Sequence, residues 1–148
     1  MPNLTDTTSA ELSNLLDGSA SSIADGVRTS VSQLRPPIRG GLPPRVLRRV
    51  REFIEANLER NLSIKVLAAT AGLSIYHFAR AFKQSLGRPP HDYVVQCRVR
   101  RVQHFLADTD LPLSEIALAS GFSDPSHCVR RFRERVGITP NHYRWLMR

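Results

Sequence analysis

Between residues 67 and 143 the chain repeats itself. Leu67-Ala68 through Gly72 matches Ile116-Ala117 through Gly121 at an offset of 49, so that apolar, alanine and glycine positions coincide. From there the offset becomes 50: Ser74 pairs with Asp124, His77 with His127, Arg80 with Arg130, Phe82 with Phe132, Gly87 with Gly137, Pro90 with Pro140 and Tyr93 with Tyr143. Agreement over about 27 positions, with one slip where a turn can absorb an extra residue, marks two copies of one structural unit.

Each copy reads as a short helix carrying small alanines, a tight turn with glycine, and a second helix. Ser74 caps the second helix of the first copy, and Asp124 caps that of the second, with Pro125 at its first helical position. Alanines let two helices cross closely and glycine permits the sharp turn, which is the construction of a helix-turn-helix. The second helix keeps one face open to solvent and wide enough for a DNA major groove. On that face the first copy offers Tyr76, Ala79, Arg80 and Lys83; the second offers Ser126, Val129, Arg130 and Arg133.

Around the repeats the pattern stays helical. Leu47, Val50, Ile54 and Leu58 form the stripe of a first helix over about residues 45–59, and a shorter helix follows Ser63. Phe78, Phe82 and Leu86 mark a third helix ending at Gly87. A longer helix runs from Pro90 to about Ala107, with Val95, Val99, Val102 and Leu106 on one side. Its 18 residues at ~1.5 Å each span about 27 Å, close to one turn of duplex. The expected fold is all-α, with two helix-turn-helix units joined by this central helix.

Upstream, Arg35-Pro36-Pro37-Ile38-Arg39-Gly40-Gly41-Leu42-Pro43-Pro44 is neither continuous helix nor strand. Residues 1–44 therefore read as a flexible, Ser/Thr-rich tail and linker, in which Ile23, Val27, Val31 and Leu34 fall at near-helical spacing. Residues 45–148 form the domain. Charge divides along the same line: residues 1–44 hold 3 arginines against 4 acids, net −1, whereas 45–148 hold 18 bases against 9 acids, net +9. Such a domain calls for a polyanionic partner. No stretch approaches the ~18 consecutive apolar residues of a membrane span, and no basic-then-apolar leader opens the chain. The expectation is a cytoplasmic protein with Cys97 and Cys128 as reduced thiols.

The block Leu62–Arg144 resembles the DNA-binding domain of the AraC/XylS family of bacterial transcription regulators. The first unit carries the resemblance in Leu67-Ala68, Gly72-Leu73-Ser74, His77-Phe78, Arg80, Phe82-Lys83 and Gly87, with Arg98 following on the central helix. The second carries it in Glu115-Ile116-Ala117, Gly121-Phe122-Ser123-Asp124, Ser126-His127, Arg130, Phe132, Gly137, Pro140 and Tyr143-Arg144. The resemblance implies about seven helices in a homeodomain-like double helix-turn-helix. It implies promoter DNA as partner, with RNA polymerase as a further one. Cys128 stands where a large apolar residue is usual and Val102 where alanine is usual, which implies local repacking. Because 44 upstream residues are too few for a sensing domain, a stand-alone or shortened regulator is expected.

Tyr76, Arg80, Ser126 and Arg130 are the candidate base contacts, since arginine can donate two hydrogen bonds to guanine O6 and N7. His77, Lys83, His127 and Arg133 are the candidate phosphate contacts, joined by Arg100 and Arg101 on the central helix. Arg98 reads as structural. Arg45, Arg48, Arg49 and Arg51 alternate with acids and read as solvated, and the periodic phenylalanines read as core. His127 and Cys128 are adjacent, which on a helix sets them about 100° apart and builds no nucleophile–base pair. The five histidines lack zinc spacing and no glycine-rich phosphate loop occurs. No catalytic, cofactor or metal site is expected, and one chain with two readers makes a monomer on DNA reasonable. The competing reading is a truncated interaction partner that modulates a full-length regulator through residues 10–34.

Overall fold

A computed structural model of the chain describes residues 40–148. Among them are seven helices: α1 (Pro44–Ala56), α2 (Ile64–Ala71), α3 (Ile75–Leu86), α4 (Pro90–Asp108), α5 (Leu113–Ala119), α6 (Pro125–Val136) and α7 (Pro140–Met147). No strand occurs among the described residues. The amphipathic stripe between Ile23 and Leu34 lies outside them.

Proline and glycine set the boundaries. α1, α4, α6 and α7 each begin with proline in the first turn, where the missing N–H has no intrahelical partner to lose. α1 stops at Ala56, three residues short of the expected end. Asn57 turns its side-chain amide back onto the Phe53 carbonyl at 2.8 Å, and the carbonyls of Leu58 and Arg60 are taken by Arg98. Leu42, in the expected linker, is only 4% exposed and sits in the first core, with its N–H donating to Ser85 Oγ at 2.8 Å.

Two cores form. The first gathers Val50, Ile54, Leu58, Leu67, Phe78 and Phe82 from α1–α3 with Tyr93, Val94 and Cys97 of α4. The second gathers Ile116, Ala117, Phe122, Cys128 and Phe132 with Val95, Val99, Val102 and Leu106 of the same α4. The apolar stripe read from sequence on α4 is therefore only one of two buried faces. Cys128 takes in the second core the place that Phe78 holds in the first, and it shares that core with Val102. The two departures implied by the resemblance thus fall in one core.

The internal repeat holds in three dimensions. Burial class is identical position by position from Phe78–Pro90 to Cys128–Pro140. Phe82 meets Tyr93 edge-on at 5.5 Å, and Phe132 meets Tyr143 edge-on at the same distance. The first half of α4 thus closes the first unit as α7 closes the second, while the remainder of α4 opens the second unit as α1 opens the first.

Burial pushes the Cys97 thiol up to about 12, with Glu55 adding to the shift, and pushes Cys128 up to about 11. Both are protonated and enclosed at neutral pH. At pH 8 the native protein is expected to release no colour from a thiol-reactive disulfide reagent over minutes, and to titrate two thiols in guanidinium. Prompt reaction of the native protein would contradict this packing.

Candidate nucleic-acid interface

The two turns are built by the same hydrogen bonds. In the first, Leu73 N–H donates to Ala68 O at 3.0 Å and Gly72 N–H to Ala69 O at 3.0 Å; in the second, Phe122 donates to Ala117 O at 2.9 Å and Gly121 to Leu118 O at 3.1 Å. All four residues correspond at the offset of 49. Gly72 and Gly121 take positive φ, +71° and +95°, which a side chain would resist. Ser74 Oγ then accepts from His77 N–H at 3.2 Å, and Asp124 Oδ1 from His127 N–H at 2.8 Å, at the offset of 50. The extra residue is Ser123, whose hydroxyl donates to Asp124 Oδ2 at 3.4 Å. The His127 N–H holds the Asp124 carboxyl below the usual carboxylate range.

α3 and α6 present their outer faces to solvent. Tyr76, His77, Arg80 and Lys83 are exposed on α3; Ser126, Arg130 and Arg133 are exposed on α6. Arg80 is held within its own helix, its guanidinium 5.7 Å from the Tyr76 ring centroid and an N–H donated to the tyrosine hydroxyl at 3.4 Å. Among the described residues the side chains of Lys83, Arg130 and Arg133 make no ion pair or hydrogen bond.

The two histidines differ. His77 is exposed beside Tyr76, with ring centroids 6.3 Å apart. His127 is half-buried, stands edge-on to Phe122 at 5.5 Å and accepts from Arg131 Nε at 3.4 Å through its own Nε2.

On α4 the expected basic cluster is partly engaged. Arg101 pairs with Glu59 at 3.3 Å across partly exposed side chains, a tie worth ~0–1 kcal/mol and open to exchange. Arg100 is half-buried and acts electrostatically on Cys97. Two arginines on α1 are also less free than their alternation with acids suggested. Arg49 donates to Thr70 O at 3.2 Å and Arg51 to the Tyr93 hydroxyl at 3.0 Å. Both flank the buried stripe of Val50 and Ile54, so their long stems reach neighbouring helices.

The ties between the units carry no signal in the sequence. Arg98 of α4 donates from Nε to Leu58 O at 3.0 Å and from Nη2 to Arg60 O at 2.8 Å. The second turn presses on the same point: a Cβ on Gly121 would lie 1.9 Å from Leu58 O and 2.5 Å from Arg98 Nε, whereas one on Gly72 would meet nothing within 4 Å. A second knot joins Arg135 of α6 to Asp92 and Gln96 of α4. Arg88 reaches the same Gln96 at 2.7 Å and Asp92 at 3.8 Å. Arg135 holds the Asp92 carboxyl below its usual range.

Among the described residues no three His, Cys, Asp or Glu side chains gather closely enough to hold a metal ion, and no helix is long and apolar enough to cross a membrane. A family model for a helix-turn-helix domain matches residues 67–145. A crystal structure of an AraC-type regulator from Chromobacterium violaceum is 33% identical with a TM-score of 0.66, covering 69% of this chain and 91% of that one. The chain belongs to the AraC family of transcription regulators. Another AraC-type fold, the DNA-binding domain of AdpA in complex with a target DNA, is 29% identical with a TM-score of 0.65, covering 68% of this chain and 90% of that domain. LumQ of Photobacterium leiognathi, described as a probable transcriptional regulator, is 32% identical over 96 residues. That match takes in 65% of this chain and 39% of LumQ, so the chain spans about two fifths of its relative.

Proposed function

We propose that this AraC-family chain binds double-stranded promoter DNA sequence-specifically and regulates transcription, with α3 and α6 entering successive major-groove segments. One observation carries the reading: two helices with matching burial expose cations at equivalent positions, Arg80 with Arg130 and Lys83 with Arg133. Arg80 and Arg130 are the base readers, accompanied by Tyr76 and Ser126. Lys83, Arg133, His77 and His127 hold phosphates, with Arg100 and Arg101 on the stretch between the grooves. α4 has 19 residues, about 28 Å at ~1.5 Å each, near the ~34 Å of one duplex turn. One chain then reads what simpler helix-turn-helix proteins read as dimers. The AdpA complex supports DNA as the partner, since a domain of this fold was captured on its target DNA. A chromosomal partner implies a cytoplasmic protein, and RNA polymerase as a further partner rests on the family resemblance. The interaction-partner reading depends on residues 10–34, outside the described residues.

Selecting sites from random duplex DNA with the purified chain tests this, and a bipartite motif with half-sites about one turn apart is expected. Arg80→Ala and Arg130→Ala should each cost ~1–3 kcal/mol and relax preference at one base position. Uniform weakening on all sequences would demote the two to phosphate contacts. Enrichment of no motif would overturn the function.

A further inference from the structure

We propose that Arg98 and Arg135 are positioning residues that set the spacing between the two DNA half-sites, a proposal resting on the two-groove reading above.

The two units keep separate hydrophobic cores, and α4 is the element common to both. The apolar interior of each unit therefore orients that unit against α4, not against the other unit. Polar ties fasten each unit further to α4, and at Gly121 the second unit's turn also closes directly on the first unit's Leu58 carbonyl. Arg98 stands on α4, yet both its donors go to main-chain carbonyls of the irregular stretch after α1, Leu58 O and Arg60 O. Those bonds are charge-assisted and reach two residues at once, which a planar guanidinium does and a lysine ammonium does less well. At this point the second turn packs so closely that only glycine fits at 121. The first unit's loop, the central helix and the second unit's turn thus meet at one guanidinium.

Arg135 makes the second tie, anchoring the C-terminal half of α6 to Asp92 and Gln96 beneath the first unit's exit at Arg88. In the first unit the corresponding residue is Ser85, which accepts from Leu42 N–H. The long charged side chain is thus a departure from the repeat at the place where one unit must grip the other. Neither arginine projects from the outer faces of α3 and α6, so each acts on DNA through the phase it imposes between those helices.

B-DNA makes that phase measurable. Moving one half-site by a base pair rotates it by roughly 35° and shifts it by about 3.4 Å, from a repeat of 10–10.5 base pairs per ~34–36 Å turn. A locked pair of helices tolerates one spacing; a loosened pair tolerates several.

The test uses the full chain and duplexes carrying its selected bipartite site with the halves moved by −1, 0, +1 and +2 base pairs. Binding is read by fluorescence anisotropy for wild type, Arg98→Lys, Arg135→Gln and the double variant, and thermal melting establishes which variants are folded. Wild type should lose roughly 30-fold or more at any shifted spacing, since a displaced helix forfeits several base contacts together. Arg98→Lys and Arg135→Gln should each reduce that loss to about fivefold or less, through tighter relative binding to the shifted sites. Equal weakening at every spacing would make both residues merely stabilising and overturn the proposal. A wild type that binds a lone half-site as tightly as the pair would instead overturn the two-groove reading, and a wild type that needs both halves but tolerates every spacing would overturn the locked phase alone.

Discussion

Gly121→Ala should destabilise the domain by about 3–5 kcal/mol, while the matching Gly72→Ala costs about 1–2 kcal/mol. Both glycines take positive φ, +95° and +71°, so both substitutions carry the left-handed strain of an L residue. They part company in what surrounds them. A methyl at 72 enters open space, but at 121 it meets Leu58 O at 1.9 Å and Arg98 Nε at 2.5 Å. A backbone carbonyl has no rotamer with which to move aside. Relief requires the second turn to lift from the first unit, or Leu58 O and Arg98 to give way, which would strain the Arg98 hydrogen bonds, each worth ~1.5–3 kcal/mol as a bond to a charged group. Urea unfolding of the two single variants measures the difference, and equal losses would show that the close approach does not exist.

Affinity for the selected site should fall about 10³-fold between 50 and 200 mM salt. A protein that neutralises ~6–10 phosphates loses ~10³ to 10⁵ over that range, and the structure favours the lower end. Many of the arginines behind the domain's positive charge are already committed within the fold: Arg98 and Arg144 to backbone carbonyls, Arg135 to Asp92, Arg131 to Glu134 and Arg148 to Asp110. These release few counterions on binding. On the proposed binding mode the slope belongs to phosphate contacts such as Lys83 and Arg133, whose head groups are unpaired. Arg133→Ala should lower it by about one, whereas Arg131→Ala should leave it nearly unchanged. Titrating potassium chloride against anisotropy gives both numbers. A flat response would remove phosphate contact as the source of affinity.

The helices, the two turns and the outward faces of α3 and α6 were legible because their causes are local. A cap at Ser74, a proline at 125 or a phenylalanine every fourth residue acts over one or two turns of chain. The slip in the repeat is legible too, because turn hydrogen bonds hold the offset of 49 through Phe122 and the cap resumes at Asp124 at the offset of 50. The ties that the sequence does not disclose join residues some 40 positions apart. Arg98 was expected to be structural, but nothing near it in sequence names Leu58 and Arg60 as its acceptors. Gly72 and Gly121 read as equals because a glycine in sequence announces a backbone angle and says nothing of a neighbour's carbonyl. Arg51 read as solvated because its partner, Tyr93, lies on a different helix. The second buried face of α4 was hidden for the opposite reason: a helix apolar on two sides has no single stripe to find.

The double duty of α4 gives the duplication an unusual form. The repeat advances by about fifty residues, yet the four-helix body it repeats extends from Pro44 through Asp108 and is longer than that advance. The copies are therefore overlapped like roof tiles, not strung like beads, with residues 93–99 serving alternately as the lid of one and the floor of the next. No cut within that stretch leaves two intact tiles, and no joint exists there about which one could swing freely.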